Sequence, residues 1–367
     1  MLKSNYPKRR NNAPTCIDLF SGAGGLSLGF CQAGGIPIAA VDCDADSIKT
    51  YSNMLKICHD AQCVFIEQWI PKENLEGVDV IIGGPPCQGF SLARGTRFVD
   101  DPRNHLYKFF VKTVDRLRPK WIVIENVPGI ISIGGGSILQ EIYRDFSEIG
   151  YELTHKVINM AMYGVPQARK RTVFVGNRLG AKFEWPIPRF DSMYVDGEFR
   201  LSTHFRSVYD ALGDLSWPMG RYFSHRANSK MRGPRNRDVM TQPAFTMRVR
   251  GDEFALCELP ATSAFPPGPM PTTPMFYTPI QNDYQKVMRE SPPWWIKDYV
   301  APQERDIVVP QLKGTRRLTI REQARIQSFP DWFEFSGTIY SQARQIGNAV
   351  PPYFARQLFE KIIEQIK

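Results

Sequence analysis

A single cysteine, Cys87, is held between stiff and small neighbours in Gly83-Gly84-Pro85-Pro86-Cys87-Gln88-Gly89-Phe90-Ser91. The two prolines restrict the approach to the thiol, and the glycines leave room for a planar substrate. Taken alone, such a cysteine is more often a small buried hydrophobe than a nucleophile. The run Trp121-Ile122-Val123-Ile124-Glu125-Asn126-Val127 shifts the balance, because it ends a strand on a carboxylate that can face the same cleft. The alternatives for Glu125 are a helix cap or a surface ion pair. A thiol and a carboxyl group together suit addition to a pyrimidine. Carbon 5 of cytosine is a poor nucleophile, but thiolate attack at carbon 6 makes an enamine that can take an electrophilic methyl from a sulfonium, with a carboxyl group at ring N3 stabilising it.

A third group of residues suits a nucleoside cofactor. Asp18-Leu19-Phe20-Ser21-Gly22-Ala23-Gly24-Gly25 joins a strand to a helix, where glycines allow backbone N–H groups to approach a ligand at the positive helix end. Its spacing is not the G-x-G-x-x-G of pyrophosphate-bearing dinucleotides. Asp42 closes the next strand, where a carboxylate can hold a ribose diol. A tight structural turn followed by an ordinary strand-end Asp would look the same.

The elements that must position these groups alternate. Apolar strands are predicted at 16–20, 36–41, 78–82, 121–124 and 172–176, with helices at 24–33 and 104–117 between them. Strands separated by helices imply an α/β fold with a doubly wound, mostly parallel sheet whose ligands sit at the carboxyl ends of its strands. After Asn177 the chain becomes rich in Pro, Arg and aromatic residues with little periodicity, and Pro260 to Pro279 holds seven prolines. This stretch reads as a second, smaller, irregular lobe. Thr319-x-x-Glu322 then forms a capping box that opens a short helix ending before Pro330, and 351–367 reads as an amphipathic helix. The expected division is a catalytic and cofactor domain, 1–176 completed by 337–367, and a recognition domain, 177–336.

Composition narrows the classes. With 367 residues, 43% hydrophobic and 23% charged, the chain has the make-up of a folded protein rather than a disordered one. No apolar run approaches the roughly 18 residues that span a bilayer, and Met1 to Asn12 is basic without an apolar segment behind it. No membrane association is expected. The predicted location is cytoplasmic, at the nucleoid in a prokaryote, or nuclear in a eukaryote. Seven cysteines without a C-x-x-C pair read as reduced thiols, and five scattered histidines argue against a zinc site. A net charge of +9 suits a polyanionic partner, although a solubilising surplus would look the same.

In order along the chain, these segments resemble the DNA (cytosine-5) methyltransferase family of prokaryotic restriction-modification systems, over nearly its whole length. Asp18 to Gly25 resembles that family's S-adenosylmethionine loop, Pro85-Pro86-Cys87-Gln88 its nucleophile motif and Glu125-Asn126-Val127 its strand-end acid motif. Gln167-Ala168-Arg169-Lys170-Arg171 resembles its basic motif. The stretch from Arg317-Leu318-Thr319 to Phe329-Pro330-Asp331 is similar to the helix that supports the recognition lobe, and Gln345-Ile346-Gly347-Asn348-Ala349-Val350-Pro351 to the last cofactor-side motif.

The resemblance implies a methyltransferase fold and transfer of methyl from S-adenosylmethionine, leaving S-adenosylhomocysteine, to a cytosine flipped out of duplex DNA. It assigns catalysis to Cys87, Glu125, Arg169 and Arg171, with Glu125 at N3 and the exocyclic amine and the two arginines on the flipped nucleotide's phosphate and ring oxygen. For such an Arg/Lys run the default is a solvent-facing cluster. It assigns the cofactor pocket to Phe20, Ser21, Gly22, Gly24, Gly25, Leu26, Asp42, Cys43, Glu67, Pro85, Leu106 and Asn348. Two of these depart from the family: Cys43 stands where a bulky side chain often covers adenine, and Glu67 where an Asp is usual.

Residues 221–250 hold eight Arg or Lys and one acid, interleaved with aromatic residues, and read either as a DNA-facing patch or as a solvated basic loop. The candidate DNA contacts are Ser91, Arg232, Arg235, Arg237, Arg248 and Arg250. The expected partners are double-stranded DNA and a restriction endonuclease acting separately, with the chain itself a monomer. Two rivals remain: methylation of cytosine in RNA, against which the long second lobe argues, and a non-catalytic relative, against which the intact Cys87, Glu125 and Arg169 argue. A nicotinamide oxidoreductase would need a phosphate-cradling fingerprint that the chain lacks.

Overall fold

The computed structural model describes residues 13–86, 106–188, 190, 192–195, 198–201, 205–215, 222–225, 235–239, 242–248, 254–257, 288, 293 and 315–366. Their contacts separate into two compact units. One holds the described residues 13–159, 170–187 and 354–366; the other holds 160–169 and those within 188–353.

The first unit is built on a seven-stranded sheet. Its strands are β1 (Thr15–Leu19), β2 (Ile36–Asp42), β3 (Ala61–Cys63), β4 (Val80–Gly83), β5 (Trp121–Asn126), β6 (Glu152–Asn159) and β7 (Lys170–Asn177), in the order β3-β2-β1-β4-β5-β7-β6. The first five are parallel, and the mostly apolar runs of β1, β2, β4 and β5 reflect burial on both faces, whereas β3 is a short, partly exposed edge strand. The last two run antiparallel, β7 against β5 and β6 against β7. Ten residues separate β6 from β7, and a parallel return needs a crossover of about a dozen or more.

Helices α1 (Gly25–Gln32), α2 (Ala45–Met54), α3 (Leu106–Leu117) and α4 (Ser137–Glu148) link the strands. Alternation sorts the two faces. Ile17, Leu19, Ala39, Val41, Ile122 and Ile124 join a core with Phe110 and Val114 of α3 and Phe146 of α4. Phe110 and Phe146 are fully buried and meet edge to face at 6.3 Å, each worth about 1.5–3 kcal/mol of burial.

The other unit contains an antiparallel sheet in the order Arg235–Asp238, Tyr222–His225, Phe254–Cys257, Thr315–Arg317, and a hairpin pairing Ser192–Val195 with Glu198–Leu201. Its helices are α5 (Val208–Leu212), α6 (Ile320–Ile326) and α7 (Ile339–Asn348), and α8 (Pro352–Ile366) starts at its edge. The predicted capping box is present: Glu322 N–H donates to Thr319 Oγ1, and Thr319 N–H to Glu322 Oε2. Arg325 of α6 is buried in a fork of carboxylates, at 2.8 and 2.6 Å from the two oxygens of Asp331 and 2.5 Å from Asp214.

The units divide at 159/160, 169/170, 187/188 and 353/354. Gln167 donates to Gln327 Oε1 at 2.6 Å and accepts from Met247 N–H at 2.9 Å, so its short segment packs within the second of these units despite its place in the sequence.

Candidate active site

The turn after β1 is wound tightly. Phe20, Gly22 and Gly24 all have positive φ, at 58°, 53° and 88°. For Phe20 that conformation is strained, and such strain persists only where the surroundings over-determine it. Gly24 is required twice over, since its φ is left-handed and a Cβ there would lie 2.6 Å from Leu55 Cδ1. Ser21 N–H donates to Val41 O at 3.0 Å, and Gly24 N–H to Ser21 O at 2.9 Å.

Asp42 locks this turn. Gly22 N–H donates to its Oδ2 at 2.8 Å and Asp44 N–H to its Oδ1 at 2.9 Å, which leaves each oxygen with further acceptor capacity. Burial raises the Asp42 carboxyl above its ordinary range. The Ser21 hydroxyl is buried without a hydrogen-bond partner, and nothing lies within 4 Å of where a Gly22 Cβ would stand. An orphaned hydroxyl, a spare carboxylate lone pair and open space beside a helix N-terminus fit a polar nucleoside with an amino-acid tail. Gly25 and Leu26 open α1, and Leu106 opens α3 half-buried. Cys43 is exposed beside Asp42, and Glu67 is exposed on the turn Ile66–Gln68 beyond β3.

β4 ends at Gly83 and leads through Gly84, Pro85 and Pro86 toward Cys87. Cys87 and Ser91 lie outside the described residues. Glu125, near the end of β5, is 9% exposed, and Arg171 of β7 places Nε 2.8 Å from its Oε1. Val173 is the cross-strand partner of Glu125, so Arg171, two residues along, shares its face and reaches it diagonally. A Cβ on Gly84 would stand 3.3 Å from Glu125 Oε2, so a glycine there keeps the loop close to the acid.

Asn126, which motif reading passes over as a neighbour of Glu125, ties the two together. Its Nδ2 donates to Pro85 O at 3.1 Å while its Oδ1 accepts from Val127 N–H at 2.8 Å. The available signal was an amide side chain at the end of an apolar strand, directly after the acid. Asn126→Ala is expected to lower kcat by about 10- to 100-fold, the equivalent of one buried hydrogen bond and its orphaned carbonyl, with the cofactor KM little changed. Steady-state kinetics on wild type and variant check it.

The candidate residues of the second unit fall differently. Arg169, expected on the nucleotide, is 1% exposed, and its Nη1 donates to Met247 O at 3.2 Å and Gly347 O at 3.0 Å. Its Nη2 lies 3.5 Å from Asn348 O. Asn348 ends α7 with its side chain exposed. Arg237 stacks 4.2 Å over Phe245 and donates to Pro243 O and Ala244 O, and burial lowers its pKa from the ordinary value. Arg248 is exposed, and Arg235 opens a strand. Arg232 and Arg250 lie outside the described residues. Among the described residues, five cysteines are free, no group of three His, Cys, Asp or Glu is arranged to hold a metal, and no helix is long and apolar enough to cross a membrane.

Residues 14–364 match the family described as C-5 cytosine-specific DNA methylase. The chain is 33% identical over 359 residues to type II methyltransferase M1.HphI of Haemophilus parahaemolyticus, covering 95% of this chain and 87% of that protein. It is 32% identical over 385 residues to type II methyltransferase M.XorII of Xanthomonas oryzae pv. oryzae, covering 96% and 85%. Its fold resembles the solved Entamoeba histolytica methyltransferase EhMeth, with a TM-score of 0.61 at 18% identity over 97% of this chain and all of that one.

Proposed function

Because the chain belongs to the C-5 cytosine-specific DNA methylase family, we propose that the elements at the carboxyl ends of β1, β2, β4 and β5 carry that family's reaction through this chain's own residues. The protein is a DNA (cytosine-5) methyltransferase, and DNA is its substrate.

In this reading Cys87 adds as thiolate to carbon 6 of a cytosine turned out of the duplex, since a stacked base shields that carbon. Glu125 holds ring N3 and the exocyclic amine, so that charge built up by the addition is met by a proton at N3. Arg171 pairs its charge with Oε1, while Oε2 lies on the side of Gly84. S-adenosylmethionine, on which the family depends, supplies an electrophilic methyl on a sulfonium. The turn of Phe20 to Leu26 would seat it, with Asp42 on the ribose hydroxyls and the Ser21 hydroxyl on the amino-acid tail. Loss of the carbon-5 proton and expulsion of Cys87 then restore the aromatic ring. Arg169 would hold the flipped nucleotide as the family's basic motif implies, with its Nη1 oriented by the carbonyls of Met247 and Gly347.

The observation that carries the reading is the buried Glu125 carboxyl, ion-paired with Arg171, at the strand end to which Asn126 ties the Pro85 loop. The recognition unit, with Arg248 on its surface, would contact the duplex. The enzyme would act as a monomer in the cytoplasm, at the nucleoid, beside a separate cognate endonuclease.

Incubation with labelled S-adenosylmethionine and mixed DNA and RNA is expected to place label in 5-methylcytosine of DNA. Label confined to RNA would refute the assignment. Bisulfite sequencing of DNA from cells expressing the protein would give the methylated site.

A further inference from the structure

Beneath the turn between β1 and α1 stands a carboxylate that the transfer scheme does not use. Asp18 is 1% exposed. Its Oδ2 accepts from Ser27 Oγ at 2.6 Å, and Ser27 Oγ accepts from the Tyr51 hydroxyl at 2.7 Å. Asp18 pairs with Ala40 across β1 and β2, so Asp42, two residues further along, lies on the same face of the sheet. Two carboxylates therefore brace one turn, Asp42 through Gly22 N–H and Asp18 through α1.

Helix α1 needs that support. Gly24 at its N-cap offers no side-chain hydrogen bond, and its first turn holds no acidic residue. Asp18, from the preceding strand, gives that turn a hydrogen-bond acceptor through Ser27 Oγ.

The surroundings of Asp18 provide no countercharge. Cys16 of β1, Asp42 of β2, Ser27 and Cys31 of α1, Tyr51 of α2 and Cys58 beyond it face the carboxyl group. Among the described residues no Lys or Arg forms an ion pair with it. Burial pushes the Asp18 carboxyl from an ordinary 3.8 up to about 7, against the opposing pull of the Ser27 hydrogen bonds. Between those values the folded chain keeps a proton that the unfolded chain has lost, so this group makes the fold less stable as pH rises through that window. A neutral side chain would avoid the penalty. A cation arriving with the ligand would reverse it, because a positive charge in a low-dielectric site favours the ionised carboxyl.

Resting on the cofactor assignment above, we propose that Asp18 is a charge-responsive positioning residue: when the cationic methyl donor enters the turn, the Asp18 carboxyl releases its proton to solvent and the resulting carboxylate stabilises the bound sulfonium. Methyl transfer removes the sulfonium charge, after which the carboxylate takes a proton back from solvent and its hold on the product weakens.

Calorimetric titration of the full chain with S-adenosylmethionine or S-adenosylhomocysteine at pH 7, in phosphate and in Tris, counts the protons exchanged. Wild type is expected to release about half a proton with the sulfonium ligand and less with the thioether. Asp18→Asn is expected to bind about tenfold more weakly with no release attributable to the sulfonium. Ser27→Ala removes a bond that favours the ionised form, so the release should move to higher pH and appear more strongly at pH 8. Heats independent of buffer in wild type, or equal release in Asp18→Asn, would overturn the inference. Binding of neither nucleoside to wild type would overturn the cofactor assignment as well.

Discussion

Cys87→Ser is expected to reduce methyl transfer by about 10^4-fold or more while S-adenosylmethionine binding stays within about twofold of wild type. The reason is chemical. Carbon 5 becomes nucleophilic only after addition at carbon 6, and a serine hydroxyl at neutral pH is far less able to add than a thiolate. The binding turn, Phe20 to Leu26, is built by β1 and α1 with Asp42 and does not draw on the thiol. A duplex with 5-fluorocytosine at the methylated position separates this from a folding defect, because wild type should form a covalent adduct that cannot lose a carbon-5 proton. The serine variant should form none. A normal turnover rate in Cys87→Ser would remove the covalent mechanism altogether.

Glu125→Gln is expected to lower kcat by about 10^2- to 10^4-fold, the range typical of a positioned acid, with little effect on the cofactor KM. The amide keeps the shape of the carboxyl group but cannot carry a proton to N3. It should also cost stability, since Arg171, with its side chain 16% exposed, would lose the carboxylate 2.8 Å away. Thermal unfolding of Glu125→Gln, Arg171→Met and the double variant would distinguish the two effects. If the pair is coupled, the double variant should be more stable than the sum of the single losses predicts. A fully active Glu125→Gln protein would refute the N3 role.

Much of this site could be read locally. The loop Asp18 to Gly25, the acid in Glu125-Asn126 and the capping box at Thr319 and Glu322 each lie within a few consecutive residues, where strand, turn and cap preferences act directly. The basic motif could not be divided in that way. Arg169 and Arg171 are two residues apart and chemically identical, yet one is engaged by the carbonyls of Met247 and Gly347 and the other by Glu125. Several elements were also passed over. α4 buries Ile138, Ile142, Asp145 and Phe146, a helical period that was legible, whereas β6 buries Ile158 alone among Glu152–Asn159 and carries no clean alternation.

The sequence by itself determined the family and the parallel core of the sheet, and it named candidates for the nucleophile, the acid and the turn, because each depends on neighbours in the chain. Only the tertiary structure decided that β7 returns antiparallel beside β5, which brings Arg171 to Glu125 across 46 positions of chain. It likewise decided that Asp18 is buried against Ser27 and Tyr51 without a cation, and that Gln167 and Arg169 pack with Gln327 and Met247. Those outcomes depend on burial and on partners far apart in the chain, and no local pattern of residue types encodes either.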